Sequence, residues 1–363
     1  MAKVLISPLN WGLGHATRDI PIIRTLLAHE HEVTIAACGN ARSVLEQEFP
    51  ECTSRDFPDY SVPFSANSLF LARFIASFPQ LLQGIARERR NLAAMLAEEK
   101  YDLIISDNRL GVYSKEIPSL FITHQLHFHL PLAMWPLELA GIGLNSCLHE
   151  KFDRVIVPDN PPGPLSLGGK LSRAGTDVTR DRAYYTGILT STRVQDVAQD
   201  LDYLILISGP EPQRTELEHL LLPQVKDLPG KVTVLLGSPQ AAGAAQRQSE
   251  QCTVLSYAST GEKELLMNRA KVIICRSGYT TMMELAELKK HQALLIPTPG
   301  QPEQEYLAAY YEQQGWFHAR NQHQLDLARD VRDIVRYRGL PDVSGTEVNV
   351  RRLYNDLLAG YLE

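Results

Sequence analysis

The sequence predicts an α/β protein built from two Rossmann-like αβα domains that face each other across a cleft. Three observations predict this fold: the length of the chain, the strand–loop–helix–strand pattern of the first forty residues, and a second series of alternating strands and helices in the other half. A chain of 363 residues is long enough for two domains of about 150 residues each. Short apolar runs typical of buried parallel strands recur in both halves, separated by segments with helical spacing.

The first domain is expected over residues 1–188. Its predicted elements are a strand at Lys3–Ser7, a glycine loop, a helix from Ala16 to about His29, and strands at Glu32–Ala37, Asp102–Ser106, Ser119–Ile122 and Arg154–Val157. A strand, a helix and a second strand in this order call for a parallel sheet.

The second domain is expected over residues 189–343. Its predicted elements are strands at Tyr203–Ile207, Val232–Leu236, Val272–Cys275 and Ala293–Ile296, with helices from about Gln213 to Leu222, to about Lys290 and through Gln313. A last helix, about 344–363, is predicted to pack back on the first domain.

Composition excludes several classes of protein. The chain carries 36 Lys and Arg against 42 Asp and Glu, a net charge of −6, and no concentrated basic run, which argues against a nucleic-acid partner. The five cysteines contain no C-x-x-C pair, so a disulfide framework and a cysteine zinc site are both disfavoured. No apolar stretch reaches 18 residues, and the cytoplasm is the expected location.

The first glycine loop does not fit a dinucleotide site. Gly12 and Gly14 lie in a first βα turn, but Thr17 stands where the third glycine is needed, and the second strand is followed by no acidic residue for the ribose. The loop instead places His15 at a helix N-terminus, where the dipole disfavours the imidazolium ion. A base that accepts a proton and a histidine that merely caps the helix are both open alternatives.

A second turn in the other half has the features of an anion site. Ser277 and Gly278 follow a buried strand and precede a helix, so backbone N–H groups converge there. Glu284, two turns along that helix, is either a partner for ribose hydroxyls or a solvent-facing helix residue. The polar loop 300–305 suits a polyhydroxylated ligand, or is simply a surface loop.

Two further segments of the first half each fit more than one interpretation. Residues 68–90 are apolar and then basic, which fits either a helix pair closing the first domain's core or contact with an anionic membrane surface. The core alternative is favoured. His124, His127 and His129 cluster in one segment, interpreted as an acceptor-side loop rather than a metal site.

The sequence resembles a known family in both halves. The runs Val272-Ile-Ile-Cys-Arg-Ser-Gly-Tyr-Thr-Thr-Met-Met-Glu284 and Leu295-Ile-Pro-Thr-Pro-Gly-Gln-Pro-Glu-Gln-Glu-Tyr306 resemble the donor half of GT-B glycosyltransferases. The group in question is family 28-like and includes the bacterial N-acetylglucosaminyltransferase of the peptidoglycan lipid precursor. The opening Gly-x-Gly-His-x-x-Arg, Gly12 to Arg18, is similar to that group's acceptor-side loop. It is also similar to the nucleotide-sugar hydrolase of pseudaminic acid synthesis.

The resemblance implies roles for named residues. It implies that the donor is held by Gly209, Arg214, Ser277, Gly278, Tyr279, Glu284, Gln304 and Glu305. Among these, Glu284 would bind the ribose, while Gln304 and Glu305 would contact the sugar. The family has Gln-Gln or Asp-Gln at that pair, so Glu305 is a departure. In the first half the resemblance implies an acceptor-side loop of Gly12, Gly14 and Arg18, with His15 and Asp107 as the catalytic pair.

The function implied is an inverting, metal-independent transfer of a sugar from a nucleotide diphosphate, UDP by preference, to an acceptor hydroxyl. No cofactor and no metal are expected. The acceptor is undetermined, with a lipid-linked molecule or a glycan as candidates, and a location at the inner face of the membrane is the corresponding alternative. A nucleotide-sugar hydrolase and a non-catalytic nucleotide-sugar binding protein are the rival interpretations.

Overall fold

The chain forms two α/β units, each with a seven-stranded sheet. The computed structural model describes residues 1–59, 70–127, 135–237, 246–247 and 251–363. The first unit comprises Met1–Ser191 together with Val343–Glu363, and the second comprises Thr192–Asp342.

The sheet of the first unit is parallel throughout. Its strands are β1 (Lys3–Pro8), β2 (Glu32–Ala37), β3 (Thr53–Asp56), β4 (Leu103–Asp107), β5 (Ser119–Ile122), β6 (Arg154–Val157) and β7 (Ala183–Tyr185). Their order is β3-β2-β1-β4-β5-β6-β7, so the strand order reverses between β1 and β4. In open α/β sheets such a reversal point, at the carboxyl ends of the strands, is where ligands bind.

Helices cover both faces of this sheet. They are α1 (Leu13–Ala28), α2 (Gly39–Glu48), α3 (Phe70–Glu98), α4 (Trp135–His149) and α5 (Asp177–Arg182), with α11 (Thr346–Leu353) and α12 (Ala359–Leu362) at the C-terminus. Ile6 of β1, Ile20 of α1 and Leu353 of α11 share one buried core. The C-terminal segment therefore completes the first unit's core.

The second unit repeats the architecture. Its strands are β8 (Leu201–Leu206), β9 (Val232–Leu235), β10 (Gln246–Arg247), β11 (Cys252–Leu255), β12 (Ala270–Cys275), β13 (Ala293–Leu295) and β14 (His318–Ala319). Its helices are α6 (Gln213–Leu221), α7 (Thr260–Arg269), α8 (Tyr279–Glu287), α9 (Pro302–Gln313) and α10 (Leu327–Asp333). The sheet order is β10-β11-β9-β8-β12-β13-β14, parallel except for β10, and the order reverses between β8 and β12.

Several elements differ from the sequence expectations. Helix α1 begins at Leu13 rather than Ala16 and runs through Pro21, so His15 lies in its first turn and not in the loop before it. Helix α3 is one continuous helix that includes Pro79. Strand β3 was not expected at all, because its sequence Thr-Ser-Arg-Asp is polar and three of its four residues are exposed.

The C-terminal part of α3 packs against the first sheet. Gly84, Glu88 and Leu92 form a buried face at helical spacing, and Glu88 is ion-paired with the buried Arg109 at 3.0 Å. Ser68, Leu69 and His129 lie outside the described residues. Over the described parts of the chain, no helix is both long and apolar enough to cross a membrane.

Candidate functional site

The loop before the Gly-x-Gly-His-x-x-Arg motif is fixed by two hydrogen bonds of Asn10, one from its backbone and one to its side chain. The Asn10 amide donates to Asp59 Oδ2 at 3.0 Å, and its side-chain oxygen accepts from the Ala41 amide at 2.9 Å. Gly12 then takes φ +122°, a conformation that an L side chain rarely adopts, and precedes the first turn of α1. The sequence thus places His15 and Arg18 one turn apart on the start of this helix.

Asp107 contacts the side chains of both His15 and Arg18. It ends β4 and pairs in register with Pro8 of β1, at the point where the strand order reverses. Its carboxylate is fully buried and accepts from Arg18 Nε at 2.6 Å and from Arg18 Nη2. His15 Nδ1 lies 2.9 Å from Asp107 Oδ1. The structure therefore brings His15, Arg18 and Asp107 together, as their positions at strand and helix ends predicted.

The charges of this cluster define the state of the imidazole. Burial alone would raise the pKa of Asp107, but the charges of Arg18 and His15 outweigh it and lower the pKa to about 2. His15 Nδ1 lies 2.9 Å from Asp107 Oδ1, which only accepts hydrogen bonds, and 2.9 Å from Arg18 Nη2, which only donates them. Burial is the main cause that lowers the pKa of His15. The lowered pKa leaves the ring neutral at pH 7.

One further histidine adjoins this cluster. His124, which follows β5, is buried, and its Nδ1 lies 3.3 Å from Arg18 Nη1. The strand order of the sheet brings His124 next to Arg18, and no spacing in the sequence indicates this contact.

In the second unit, three loops meet at the carboxyl ends of β8, β12 and β13. Ser277 is fully buried, and its hydroxyl donates to the Gln304 carbonyl at 2.8 Å. Gly278 is the N-cap of α8 and, as a glycine, has no side chain that could accept from the helix's first turn. A Cβ at Gly278 would lie 3.8 Å from Gln304 Nε2, and one at Gly209 would lie 3.8 Å from Thr298 Oγ1. Gly209, Ser277, Gly278 and Gln304 are therefore brought to one edge of the sheet.

This edge contains an unsatisfied polar atom. Thr298 Oγ1 is buried, and it has no hydrogen-bond partner among the residues that the structure describes. The Thr298 amide donates to Gln304 Oε1 at 2.9 Å, which fixes the Gln304 side chain against the same loop. Buried polar groups in folded proteins are nearly always paired, so an unpaired hydroxyl here is consistent with a ligand site.

Glu284 does not face solvent, which was one of the two alternatives that the sequence left for it. Its side chain is buried on α8, and Lys263 Nζ of α7 donates to both carboxylate oxygens, at 2.7 and 2.8 Å. Ser259 starts α7 with a capping box, which fixes the helix that presents Lys263. Lys263 was missed by the sequence analysis because nothing in its spacing relates it to Glu284.

A buried arginine, Arg276, holds these loops together through hydrogen bonds. Arg276 donates to four carbonyl oxygens and one amide oxygen, those of Ser208, Gln213, Ile296, Pro297 and Gln322, at 2.9–3.4 Å. Burial lowers its pKa to about 10, and it remains charged at pH 7. Arg276 was part of a recognised run, but the sequence assigned it no role.

Two of the residues predicted to bind the sugar donor are held by near neighbours in sequence. Arg214 pairs with Glu211 at 2.5 Å and Glu218 at 2.7 Å, so its guanidinium is already neutralised by two carboxylates. Glu305 is exposed, and its Oε1 accepts from the Gly300 amide at 2.8 Å. Tyr279 begins α8 and is buried. Gly14 lies in the first turn of α1.

The second half of the chain matches a known protein family, and known relatives cover most of the chain. Residues 216–338 match the glycosyltransferase family 28 C-terminal domain. An uncharacterized glycosyltransferase of Methanosarcina acetivorans is 22% identical over 328 residues, covering 86% of this chain and 84% of the relative.

Solved structures of glycosyltransferases share the fold over nearly the whole chain. The glycotransferase of kitacinnamycin matches with a TM-score of 0.68 at 13% identity, covering 100% of this chain and 99% of that one. Spinosyn rhamnosyltransferase SpnG, complexed with thymidine diphosphate, gives 0.63 at 13% identity and covers 99% and 96%. MurG of Acinetobacter baumannii gives 0.53 at 12% and covers 99% and 95%. The chain is thus a glycosyltransferase with the GT-B fold, and its second unit carries a family 28 C-terminal domain.

Proposed function

We propose that the enzyme transfers a sugar, with inversion, from a nucleoside diphosphate to an acceptor hydroxyl. The observation that carries the proposal is the His15–Asp107–Arg18 cluster at the strand-order reversal of the first sheet. In the tautomer that we propose, His15 Nδ1 donates to Asp107, and Nε2 is left to take a proton, as a general base requires.

The bonds change as follows. The acceptor oxygen bonds to the anomeric carbon as its proton passes to His15 Nε2, and the bond from that carbon to the diphosphate oxygen breaks. Asp107 stabilises the resulting imidazolium, and Arg18 holds Asp107 in place. In the second unit, the start of α8 and the buried charge of Arg276 favour the departing diphosphate. Those groups supply positive potential without a divalent metal or a cofactor.

Two donor nucleotides are supported by different observations. The resemblance of the second half favours UDP, while SpnG was solved with thymidine diphosphate. The resemblance assigns Glu284 to the ribose hydroxyls, which favours UDP because its ribose carries both of them. A lipid-linked or glycan acceptor, with contact between the exposed side of 79–90 and an inner membrane face, extends the same proposal.

The experiment that tests the function is donor turnover with and without acceptors. Purified enzyme is incubated with UDP- and TDP-sugars, alone and with a panel of hydroxyl compounds, and released nucleotide and sugar products are quantified. We expect release to depend on an acceptor and to persist in EDTA. Stoichiometric free sugar at an undiminished rate without any acceptor would instead establish the hydrolase, and loss of activity in EDTA would contradict metal independence.

Substituting Glu284 with glutamine should weaken UDP binding by about 10- to 100-fold, the value of hydrogen bonds to a charged group. The loss should be smaller for 2′-deoxy-UDP, which has one ribose hydroxyl fewer. Lys263→Met should act in the same direction, because it leaves the buried carboxylate without its cation. Isothermal titration calorimetry with both nucleotides measures the difference.

The control is Lys271→Met, which removes a lysine paired with Asp202 near the amino end of β8. Its nucleotide affinities should equal those of the unmodified enzyme. If Glu284→Gln binds UDP with unchanged affinity, the ribose assignment is wrong.

A further inference from the structure

Asp19 is a buried carboxyl group that the proposed mechanism does not use. It follows Arg18 on α1 and is fully buried. Neither of its side-chain oxygens accepts a hydrogen bond from a donor in the described part of the chain. A buried carboxylate without a donor is strongly unfavourable, so the ionised form does not suit this position.

The neighbour of Asp19 accounts for its state. Its carboxyl faces that of Asp107, which is ionised and accepts only. The guanidinium of Arg18 bonds to Asp107 through Nε and Nη2 and neutralises one negative charge. Burial, followed by the charge of Asp107, raises the pKa of Asp19 well above its usual range. A protonated Asp19 satisfies both carboxyls, because its O–H donates to Asp107.

We infer that Asp19 is a positioning residue whose protonated carboxyl donates a hydrogen bond to Asp107 and thereby limits how strongly Asp107 stabilises the His15 imidazolium. The inference rests on the proposed role of His15 as a base. A hydrogen bond to Asp107 withdraws negative charge from the carboxylate that His15 Nδ1 contacts. Asp19 thus helps to keep His15 unprotonated in the resting enzyme.

The titratable and charged groups around Asp19 and Asp107 come from three segments. Arg18 and His15 share α1 with Asp19, Asp107 ends β4, and His124 follows β5 and lies against Arg18. Arg18 stays charged at any working pH, so it holds its effect constant. A change in the His15 titration on substitution of Asp19 therefore reports the bond between the two carboxyls.

The test compares Asp19→Asn with Asp19→Leu. Asparagine keeps a donor at the same position, whereas leucine removes it and keeps a similar volume. The His15 ring is titrated by NMR, with its signal assigned by its loss in His15→Gln. We expect Asp19→Leu to raise the His15 midpoint by about 0.5–1 pH unit, the equivalent of one hydrogen bond, and Asp19→Asn to leave it close to that of the unmodified enzyme.

Infrared spectroscopy tests the protonation state directly. The unmodified enzyme at neutral pH should show the carbonyl stretch of a protonated carboxylic acid, and Asp19→Asn should remove it. Asp177→Asn, at an exposed aspartate paired with Arg180 on the surface, is the control and should change neither readout.

The outcomes separate the two proposals. Neither readout requires turnover, so an enzyme that releases no sugar under any condition would refute the proposed function and leave this test valid. An unshifted His15 midpoint in a folded Asp19→Leu variant overturns the inference. If that variant does not fold, the infrared difference between the unmodified enzyme and Asp19→Asn decides: no loss of a protonated-acid band at neutral pH shows that Asp19 is ionised and overturns the inference equally.

Discussion

Replacement of His15 with glutamine should lower the turnover of donor and acceptor by about 10²- to 10⁴-fold, the usual contribution of a positioned general base. Glutamine preserves size and polarity but cannot accept the acceptor's proton at neutral pH. Nucleotide affinity should stay within about twofold, because the donor-binding residues assigned above lie in the second unit. Steady-state kinetics and calorimetry on the same preparation measure the two effects.

The pH dependence of turnover gives an independent readout of the same residue. A base acts only when unprotonated, so activity should fall as pH drops through the pKa of His15. Burial lowers that pKa below its ordinary value of about 6.5, so the acidic limb should lie below this pH. The limb should vanish from the residual activity of His15→Gln.

His29→Gln is the matched control, since His29 ends the same helix and stacks on Tyr354 at 3.7 Å. It should retain normal turnover and the normal acidic limb. Full activity in His15→Gln would remove His15 from the mechanism and leave the cluster with a structural role only.

The fold was predictable from sequence where burial leaves a clear pattern. Strands such as β1 and β12 are short apolar runs because helices cover both faces of a parallel sheet. Polar or very short strands at the sheet edges carry no such pattern, which is why β3 and β14 escaped detection. Proline does not mark helix boundaries in this chain, since Pro21 and Pro79 both lie inside continuous helices.

The site was predictable from sequence only where its residues lie at the ends of strands and helices. His15 and Asp107 stand at a helix start and a strand end, and parallel strand order brings such positions to one edge. Lys263 reaches Glu284 from another helix, and Arg276 acts through backbone carbonyls spread over more than a hundred residues. Long-range pairing of this kind leaves no local spacing in the sequence, and the burial that raises the pKa of Asp19 is equally invisible there.

Substitution of Arg276 with methionine should destabilise the second unit by at least about 3 kcal/mol and abolish nucleotide binding. Methionine keeps the apolar stem but leaves buried oxygens in four separate stretches of chain without a donor. Each lost hydrogen bond to a charged group costs about 1.5–3 kcal/mol, although neighbouring losses are not additive. The loops before α6 and after β13 lose their shared anchor, so the edge that carries Gly209 and Thr298 no longer holds its shape.

Urea unfolding followed by tryptophan fluorescence measures this loss. Trp316 is buried in the second unit, while Trp11 and Trp135 belong to the first, so a background with both of those changed to phenylalanine reports the second unit alone. The control is Arg269→Met, which breaks an ion pair with Asp200 whose two side chains are 38% and 42% exposed. Such exposed pairs contribute little, and its midpoint should barely move. If Arg276→Met unfolds at the same urea concentration and binds UDP normally, the loops at this edge are held by other contacts, and the charge of Arg276 has no part in binding the diphosphate.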